Sequence, residues 1–201
     1  ALIGEVVKRE LSRQGQVYFV HNEINSIGRM KTRLEALLPH AKICIAHGRM
    51  SGRSLESLMI DFVNKRFDIL LCTTIIESGI DIPNVNTIIV NNAYAYGLSD
   101  MYQLRGRVGR FNRKAFAYFL VPKSMALTSD IRKRLDTIEK HTELGAGFKV
   151  AMADLEIRGA GNILGKEQHG YITTVGFDLY LRLLRESIEK HGKSFKKLYA
   201  A

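Results

Sequence analysis

The chain has 201 residues, 46% of them hydrophobic and 25% charged, which supports a folded core in one domain or in one domain with a smaller appendage. Its net charge is +10, which favours a polyanionic partner, most simply nucleic acid. No run reaches the ~18 apolar residues of a membrane helix. No secretory leader follows Ala1, so we expect a cytoplasmic protein with no membrane partner. Because the first residue is not Met, we also expect a segment of a longer chain.

The two cysteines lie in apolar, strand-like runs. We therefore expect Cys44 and Cys72 to be buried thiols of a protein from a reducing compartment. Cys44 and His47 have a ligand-like spacing, but no second pair accompanies them, and we predict no metal site.

Helical and strand-like segments alternate from residue 2 to residue 90. The predicted helices cover residues 2–13, 25–38 and a segment from Ser51 whose apolar stripe is Leu55, Leu58, Met59, Phe62 and Val63. The predicted strands cover residues 16–20, 41–46, 67–72 and 87–90. This alternation predicts an α/β fold, a parallel sheet flanked by helices, with ligands at the carboxyl ends of the strands.

The pattern changes after a last strand at residues 115–121. Pro122 ends that strand, and the segments that follow are helical. Residues 131–138 and 148–157 form a predicted αα-hairpin, which a glycine-rich loop and a final amphipathic helix at 177–188 follow. We therefore predict two domains, residues 1–122 and 123–201.

A cluster of arginines and glycines stands between the last two predicted strands. Gln103, Gly106, Arg107 and Arg110 spell Q-x-x-G-R-x-x-R, and on a helical turn the two arginines would share a face. A guanidinium matches phosphate oxygens in a two-point geometry. A basic surface turn is the alternative interpretation. The pattern resembles motif VI of superfamily 2 helicases, which implies that Arg107 and Arg110 contact ATP phosphates across a cleft, with Gln103 and Gly106 beside the nucleotide.

Three other segments resemble helicase motifs in the family's order. The loop of residues 73–83 is similar to motif V, which implies that Gly79 and Asp81 border the nucleotide and that Thr73 and Thr74 face DNA. A hydrogen-bonded turn is the alternative for this loop. The strand of residues 15–21 and the turn of residues 46–50 are similar to motifs IV and IVa, which implies DNA contacts for His47 and Arg49.

The sequence lacks the parts that bind Mg-ATP in this superfamily. It contains no G-x-x-x-x-G-K-[S/T] and no D-E-x-[H/D/Q] motif. The resemblance therefore implies a second RecA-like lobe, whose partner, a first RecA-like lobe, supplies most of the site for ATP and Mg. We expect the isolated segment to hydrolyse no ATP.

Residues 134–170 narrow the resemblance to two families within this superfamily. L-G-A-G-F, D-L-E-I-R-G-A-G and L-G-K-E-Q-H-G resemble the TRG hairpin and loop shared by bacterial transcription-repair coupling factors and RecG-type helicases. T-V-G-F-D-L-Y at 174–180 is closer to the coupling factors. The resemblance implies that Arg134, Arg158 and Gln168 couple lobe movement to DNA, with Gln168 on the DNA side. A helix-capping role is the alternative for Arg158. Tyr94 departs from the family's usual acid, and its role stays open.

The G-A-G-N-I-L-G run at 159–165 fails as a dinucleotide fingerprint, because the third glycine is one place late and a helix precedes it. The whole resemblance implies an ATP-driven translocase on double-stranded DNA. It would displace stalled RNA polymerase and recruit excision-repair proteins through other domains, in the bacterial cytoplasm. A RecG-type branch-migration helicase and a free-standing DNA-binding module are the alternatives.

Overall fold

The computed structural model describes residues 2–73, 82–109, 113–142 and 145–158. The chain forms two compact units, Ala1–Thr142 and Glu143–Ala201. The first unit contains a five-stranded parallel sheet in the order β2-β3-β1-β4-β5, which confirms the predicted α/β class. The strands are Gln16–Val20 (β1), Ile43–Ala46 (β2), Ile69–Cys72 (β3), Val85–Val90 (β4) and Phe116–Phe119 (β5). The helices are Leu2–Ser12 (α1), Ile24–Leu37 (α2), Gly52–Val63 (α3), Leu98–Arg105 (α4), Ser129–Lys140 (α5) and Gly147–Arg158 (α6).

The central strands are mostly apolar because helices cover both faces of the sheet. Every residue of β1, β3 and β4 is buried. Val17 and Phe19 of β1 belong to the core cluster that Ile27 and Leu34 of α2 complete. Tyr18 points to the other face, where its ring centroid lies 6.0 Å from that of Phe62 in α3.

Helix α3 packs less deeply than its sequence predicts. Phe62 is fully buried, but Val63 is 42% exposed and Ile60 is 54% exposed. The other stripe residues, Leu55, Leu58 and Met59, are only partly buried. The predicted stripe of five packed residues is therefore wrong for Val63, because α3 lies over the edge of the sheet, against β2.

Helix α5 packs against α4 and belongs to the first unit. The Thr128 hydroxyl accepts a hydrogen bond from the Ile131 amide at the start of α5, and Ile131 and Ile138 are buried. The described part of the second unit, residues 145–158, contains α6. Our division after residue 122, drawn where the strands end, stays a prediction.

Candidate nucleotide and nucleic-acid site

Backbone hydrogen bonds join the carboxyl ends of neighbouring strands. The Thr73 amide donates to the Ala46 carbonyl oxygen at 3.2 Å, and the His21 amide donates to the Cys72 carbonyl oxygen at 2.8 Å. The Asn91 amide donates to the Val20 carbonyl oxygen at 2.9 Å. The segments that follow β2, β3, β1 and β4 therefore lie side by side along one edge of the sheet.

The motif VI segment begins as a short helix. The Gly97 amide donates to the Asp100 carboxylate at 3.1 Å, and Leu98, Met101 and Leu104 are buried. Gln103 is exposed on the other side of α4. This arrangement fixes the helix on the domain and presents the predicted nucleotide-binding side chain outward.

The helix ends at Arg105, before both arginines of the motif. Gly106 follows α4, the Arg107 amide donates to the Leu104 carbonyl oxygen at 3.1 Å, and Arg107 is half-buried. Gly109 has φ +89°, in the region that favours glycine. Arg107 therefore follows the helix and is not part of it, and Arg110 lies outside the described residues, so the shared face of the two arginines stays a prediction.

Two arginines connect α4 to α5. Arg105, the last residue of α4, donates from Nη1 to the carbonyl oxygens of Ile138, at 3.0 Å, and of His141. Arg134 of α5 donates from Nη1 to the Tyr96 carbonyl oxygen at 2.7 Å, just before α4 begins. Sequence reasoning assigned no role to Arg105. In the sequence, Arg105 is one of several neighbouring arginines. Nothing near it indicates that its side chain binds the distant carbonyl groups of Ile138 and His141.

The residues predicted to face DNA have different environments. Arg49 is exposed in the turn after β2. His47 is half-buried, and its Nδ1 atom is buried without a hydrogen-bond partner. Thr73 is only 7% exposed. A buried, unpaired ring nitrogen costs free energy unless a partner arrives, so His47 is suited to a ligand that supplies one.

Several predicted site residues lie outside what the structure describes. Arg158 is described by its backbone alone, as the last residue of α6. The others that fall outside the described residues, besides Arg110, are Thr74, Gly79, Asp81 and Gln168.

Tyr94 and Tyr96 differ in burial. Tyr94, which stands where the family usually has an acid, is half-buried. Tyr96 is buried, its hydroxyl has no hydrogen-bond partner, and burial raises its pKa well above the usual value of a tyrosine. Tyr96 therefore stays neutral, and its carbonyl, rather than its phenol, connects it to α5 through Arg134.

Beside the predicted residues, His21 forms a polar network that sequence reasoning did not identify. Asn91 Nδ2 lies 3.0 Å from His21 Nδ1, and His21 Nε2 lies 2.7 Å from the Ser26 hydroxyl. Burial lowers the pKa of His21, and the Glu23 carboxylate offsets this in part. With a neutral ring, Nδ1 accepts from Asn91 and Nε2 donates to Ser26, whose hydroxyl donates to the Glu23 carboxylate.

The described residues contain no group of three or more His, Cys, Asp or Glu side chains arranged to hold a metal ion. Across the same residues, no helix combines the length and the apolar character that crossing a membrane requires.

The parallel sheet and the segment after β4 that resembles motif VI agree with the comparison with protein families. Residues 1–112 match the family described as "Helicase conserved C-terminal domain", and the chain belongs to that family. Within it, the chain is 53% identical over 193 residues to a segment of the transcription-repair-coupling factor of Staphylococcus aureus (strain USA300). The corresponding protein of Staphylococcus epidermidis (strain ATCC 12228 / FDA PCI 1200) is 53% identical over 191 residues. These matches cover 96% and 94% of the chain but 16% of each relative's length.

Solved structures agree on the fold. RecG bound to a three-way DNA junction superposes with a TM-score of 0.68 and 32% identity, over 89% of this chain and 24% of that one. Domain 2 of the DEAD-box helicase Mss116p, bound to an RNA duplex, gives 0.55 and 16% identity, over 78% of this chain and 63% of that one. At that identity the second likeness concerns the fold alone. The predicted helicase C-terminal lobe is therefore confirmed.

Proposed function

We propose that this chain is the second motor lobe of a bacterial ATP-dependent translocase on double-stranded DNA. The whole protein would displace stalled RNA polymerase and couple transcription to nucleotide excision repair through its other domains. The observation that carries the proposal is 53% identity to a segment of transcription-repair-coupling factors across 96% of the chain.

The nucleotide would be held in a cleft that this lobe shares with a first RecA-like lobe. When bound there, ATP supplies the phosphoanhydride whose hydrolysis drives movement. Arg107 stands directly after α4, and its permanent charge fits a phosphate group. We assign Arg107 and Arg110 to stabilising charge on the γ-phosphate. Gln103, Gly106, Gly79 and Asp81 would border the nucleotide.

The isolated chain is expected to be inactive. Its sequence has no Walker A or Walker B motif, so the residues for Mg and for activating water would come from the first lobe. The absence of a carboxylate-rich cluster among the described residues is compatible with this division of labour.

DNA would lie along the carboxyl edge of the sheet. His47 and Arg49 follow β2 and Thr73 follows β3, so they would approach the phosphates together with Thr74 and Gln168. The half-buried His47 has an unpaired Nδ1 that a phosphate-bound water or a DNA atom would satisfy. Arg134, Arg158 and Gln168 would transmit lobe movement to the DNA, and the bond from Arg134 to the Tyr96 carbonyl supports this for Arg134.

The test is Arg107→Ala in the full-length protein. We expect DNA-stimulated ATP hydrolysis to fall by about 10³-fold, the lower end of the range for an arginine that stabilises the transferred phosphoryl group. Affinity for duplex DNA should stay within about twofold, because Arg107 is assigned to the nucleotide and neutralises no DNA phosphate. Arg66→Ala is the matched control, since Arg66 pairs with Asp61 on the surface. Equal loss of hydrolysis and DNA binding in Arg107→Ala would contradict the assignment.

RecG-type branch migration is the second candidate, favoured by the 0.68 TM-score to RecG. The two candidates differ in their substrates. Release of RNA polymerase from a stalled transcript supports the first function, and unwinding of a three-way junction without polymerase release supports the second.

A further inference from the structure

A polar cleft opens between the carboxyl ends of β1 and β4. From β1 the chain passes through α2 to β2, at one edge of the sheet. From β4 it passes through α4 to β5, at the opposite edge. Neighbouring strands whose connections diverge form a topological switch point, where open α/β sheets bind ligands. The cleft has a volume of about 320 Å³, at the small end of the range for ligand sites.

One wall of the cleft is fixed by the His21 network. His21 is buried and bonded on both ring nitrogens, to Asn91 and to Ser26, so its position is set from β4 and from α2 at once. Asn92, two residues after the end of β4, has φ +55°, in the left-handed region that Asn adopts more readily than most other non-glycine residues.

The other wall carries two arginines from α2. Arg29 and Arg33 are four residues apart, so their side chains project from the same face of the helix. Both line the cleft and are exposed, and among the described residues neither has an ion pair or a hydrogen bond. The Glu23 carboxylate also lines the cleft, but the Ser26 hydroxyl occupies one of its oxygens. With His21 neutral, the lining carries a net charge of +1 from two arginines and one carboxylate.

We propose that this cleft binds a single phosphate group, held by Arg29 and Arg33 against the wall formed by His21 and Asn91. Two guanidinium groups offer paired donors in the planar geometry that phosphate oxygens accept. The residues predicted to face DNA follow β2 and β3, and the cleft lies at the ends of the next two strands, β1 and β4. The cleft is therefore adjacent to the predicted DNA-facing residues along the same edge of the sheet. The phosphate would come from a DNA backbone, which rests on the proposed function, or from a free phosphate compound, which does not.

Site-resolved arginine modification of the full-length protein tests this without any substitution. Mass spectrometry measures the rate of phenylglyoxal labelling at each arginine. This rate is compared among three samples without nucleotide: the protein alone, with inorganic phosphate, and with a short DNA duplex. Arg132, exposed on α5, is the internal reference. Protection of Arg29 and Arg33 beyond Arg132 by the duplex alone assigns the site to DNA. Protection by inorganic phosphate but not by the duplex assigns it to free phosphate compounds, and protection by both supports a phosphate site that DNA also reaches. The proposal is overturned if neither probe slows the labelling of Arg29 and Arg33 relative to that of Arg132.

Charge-matched variants give an independent measurement. Each phosphate contact contributes about 1 to the slope of log Kobs against log salt concentration. Because the cleft holds a single phosphate group, Arg29→Gln with Arg33→Gln should lower the magnitude of that slope by about 1 if DNA is the source. Lys8→Gln with Lys65→Asn removes the same charge from exposed positions outside the cleft and should leave the slope within the error of the wild-type value.

Glu23→Gln should tighten binding of the phosphate source identified by labelling, because it removes the opposing charge and keeps an acceptor for Ser26. Weaker binding of the phosphate source in all three variants would contradict the proposal and would mean that the cleft has only a structural role. ATP hydrolysis by Arg107→Ala is read separately, so failure here and failure of the proposed motor are distinguishable.

Discussion

Arg105 Nη1 lies 3.0 Å from the carbonyl oxygen of Ile138, so the last residue of the motif VI helix closes the end of the next helix. The same guanidinium donates to the His141 carbonyl oxygen and stacks 5.0 Å from the centroid of the Tyr102 ring. The last carbonyl groups of a helix have no partner within it, and a cation there also interacts favourably with the helix dipole. Arg105 is therefore a C-terminal cap supplied by another element.

Arg105→Ala should destabilise the chain by about 1–2 kcal/mol, because two carbonyl groups lose a charged donor. Arg105→Lys should recover about half of this, since a lysine cannot present the same fork. Urea denaturation measures the change, and hydrogen exchange should show faster exchange at the end of α5. Arg132→Ala on exposed α5 surface is the control and should stay within about 0.5 kcal/mol. Equal effects of the two alanine variants would show that the cap contributes nothing.

Arg134→Ala removes the second connection between these helices, the 2.7 Å bond to the Tyr96 carbonyl oxygen. We expect a similar loss of about 1–2 kcal/mol. Because Arg105 and Arg134 hold the same pair of helices from opposite directions, their effects should not add, and a double-mutant cycle should give a coupling energy of at least about 0.5 kcal/mol. Strict additivity would mean that the two bonds act independently. Under the proposed function, the double variant of the full-length protein should still hydrolyse ATP but move along DNA more slowly.

The strands and most helices were predictable because local patterns decide them. The runs of β1, β3 and β4 are predominantly apolar, as is typical of strands covered on both faces, with buried polar residues only at Gln16, Asn86 and Thr87 among these three strands. Helix α4 was missed, since Gly97 to Asp100 has the composition of a turn. The Asp100 carboxylate accepts from the Gly97 amide at the start of this helix, and burial of Leu98, Met101 and Leu104 holds the helix on the domain.

The contacts between distant segments were not predictable. The fork of Arg105 meets carbonyl groups more than thirty residues away, and His21 bonds Asn91 across two neighbouring strands, 70 positions apart. Pattern and propensity describe neighbours along the chain, whereas these bonds depend on the strand order. The motif resemblance found the candidate site residues, but it did not show that Thr73 is buried.

Gly15 has a steric role that a substitution should reveal. A Cβ atom at Gly15 would lie 1.6 Å from Glu10 Oε1, and Glu10 is buried with its other oxygen bonded to the Thr87 hydroxyl at 2.6 Å. Gly15→Ala should therefore cost about 1–3 kcal/mol in urea denaturation, as overpacking does. Gly28→Ala is the matched control, since no atom lies within 4 Å of a Cβ there and alanine favours a helix. We expect Gly28→Ala to stabilise by about 0.5–1 kcal/mol. Destabilisation by both changes to the same extent would contradict the steric explanation.

The two thiols should respond to alkaline pH through their burial. Burial raises the pKa of Cys44 to about 12, and it raises the pKa of Cys72 further. The folded state therefore keeps its thiol protons at pH values where the unfolded chain, with an ordinary pKa near 9, releases them. The folded state then binds more protons, so stability is complete below about pH 9 and falls above it, by up to about 1.4 kcal/mol per pH unit for each thiol. Urea denaturation between pH 8 and about pH 10.5 measures this slope, and Cys44→Ala with Cys72→Ala should flatten it. At pH 8, a thiol reagent should label neither cysteine until urea unfolds the chain. Rapid labelling in the folded state would contradict the burial of these groups.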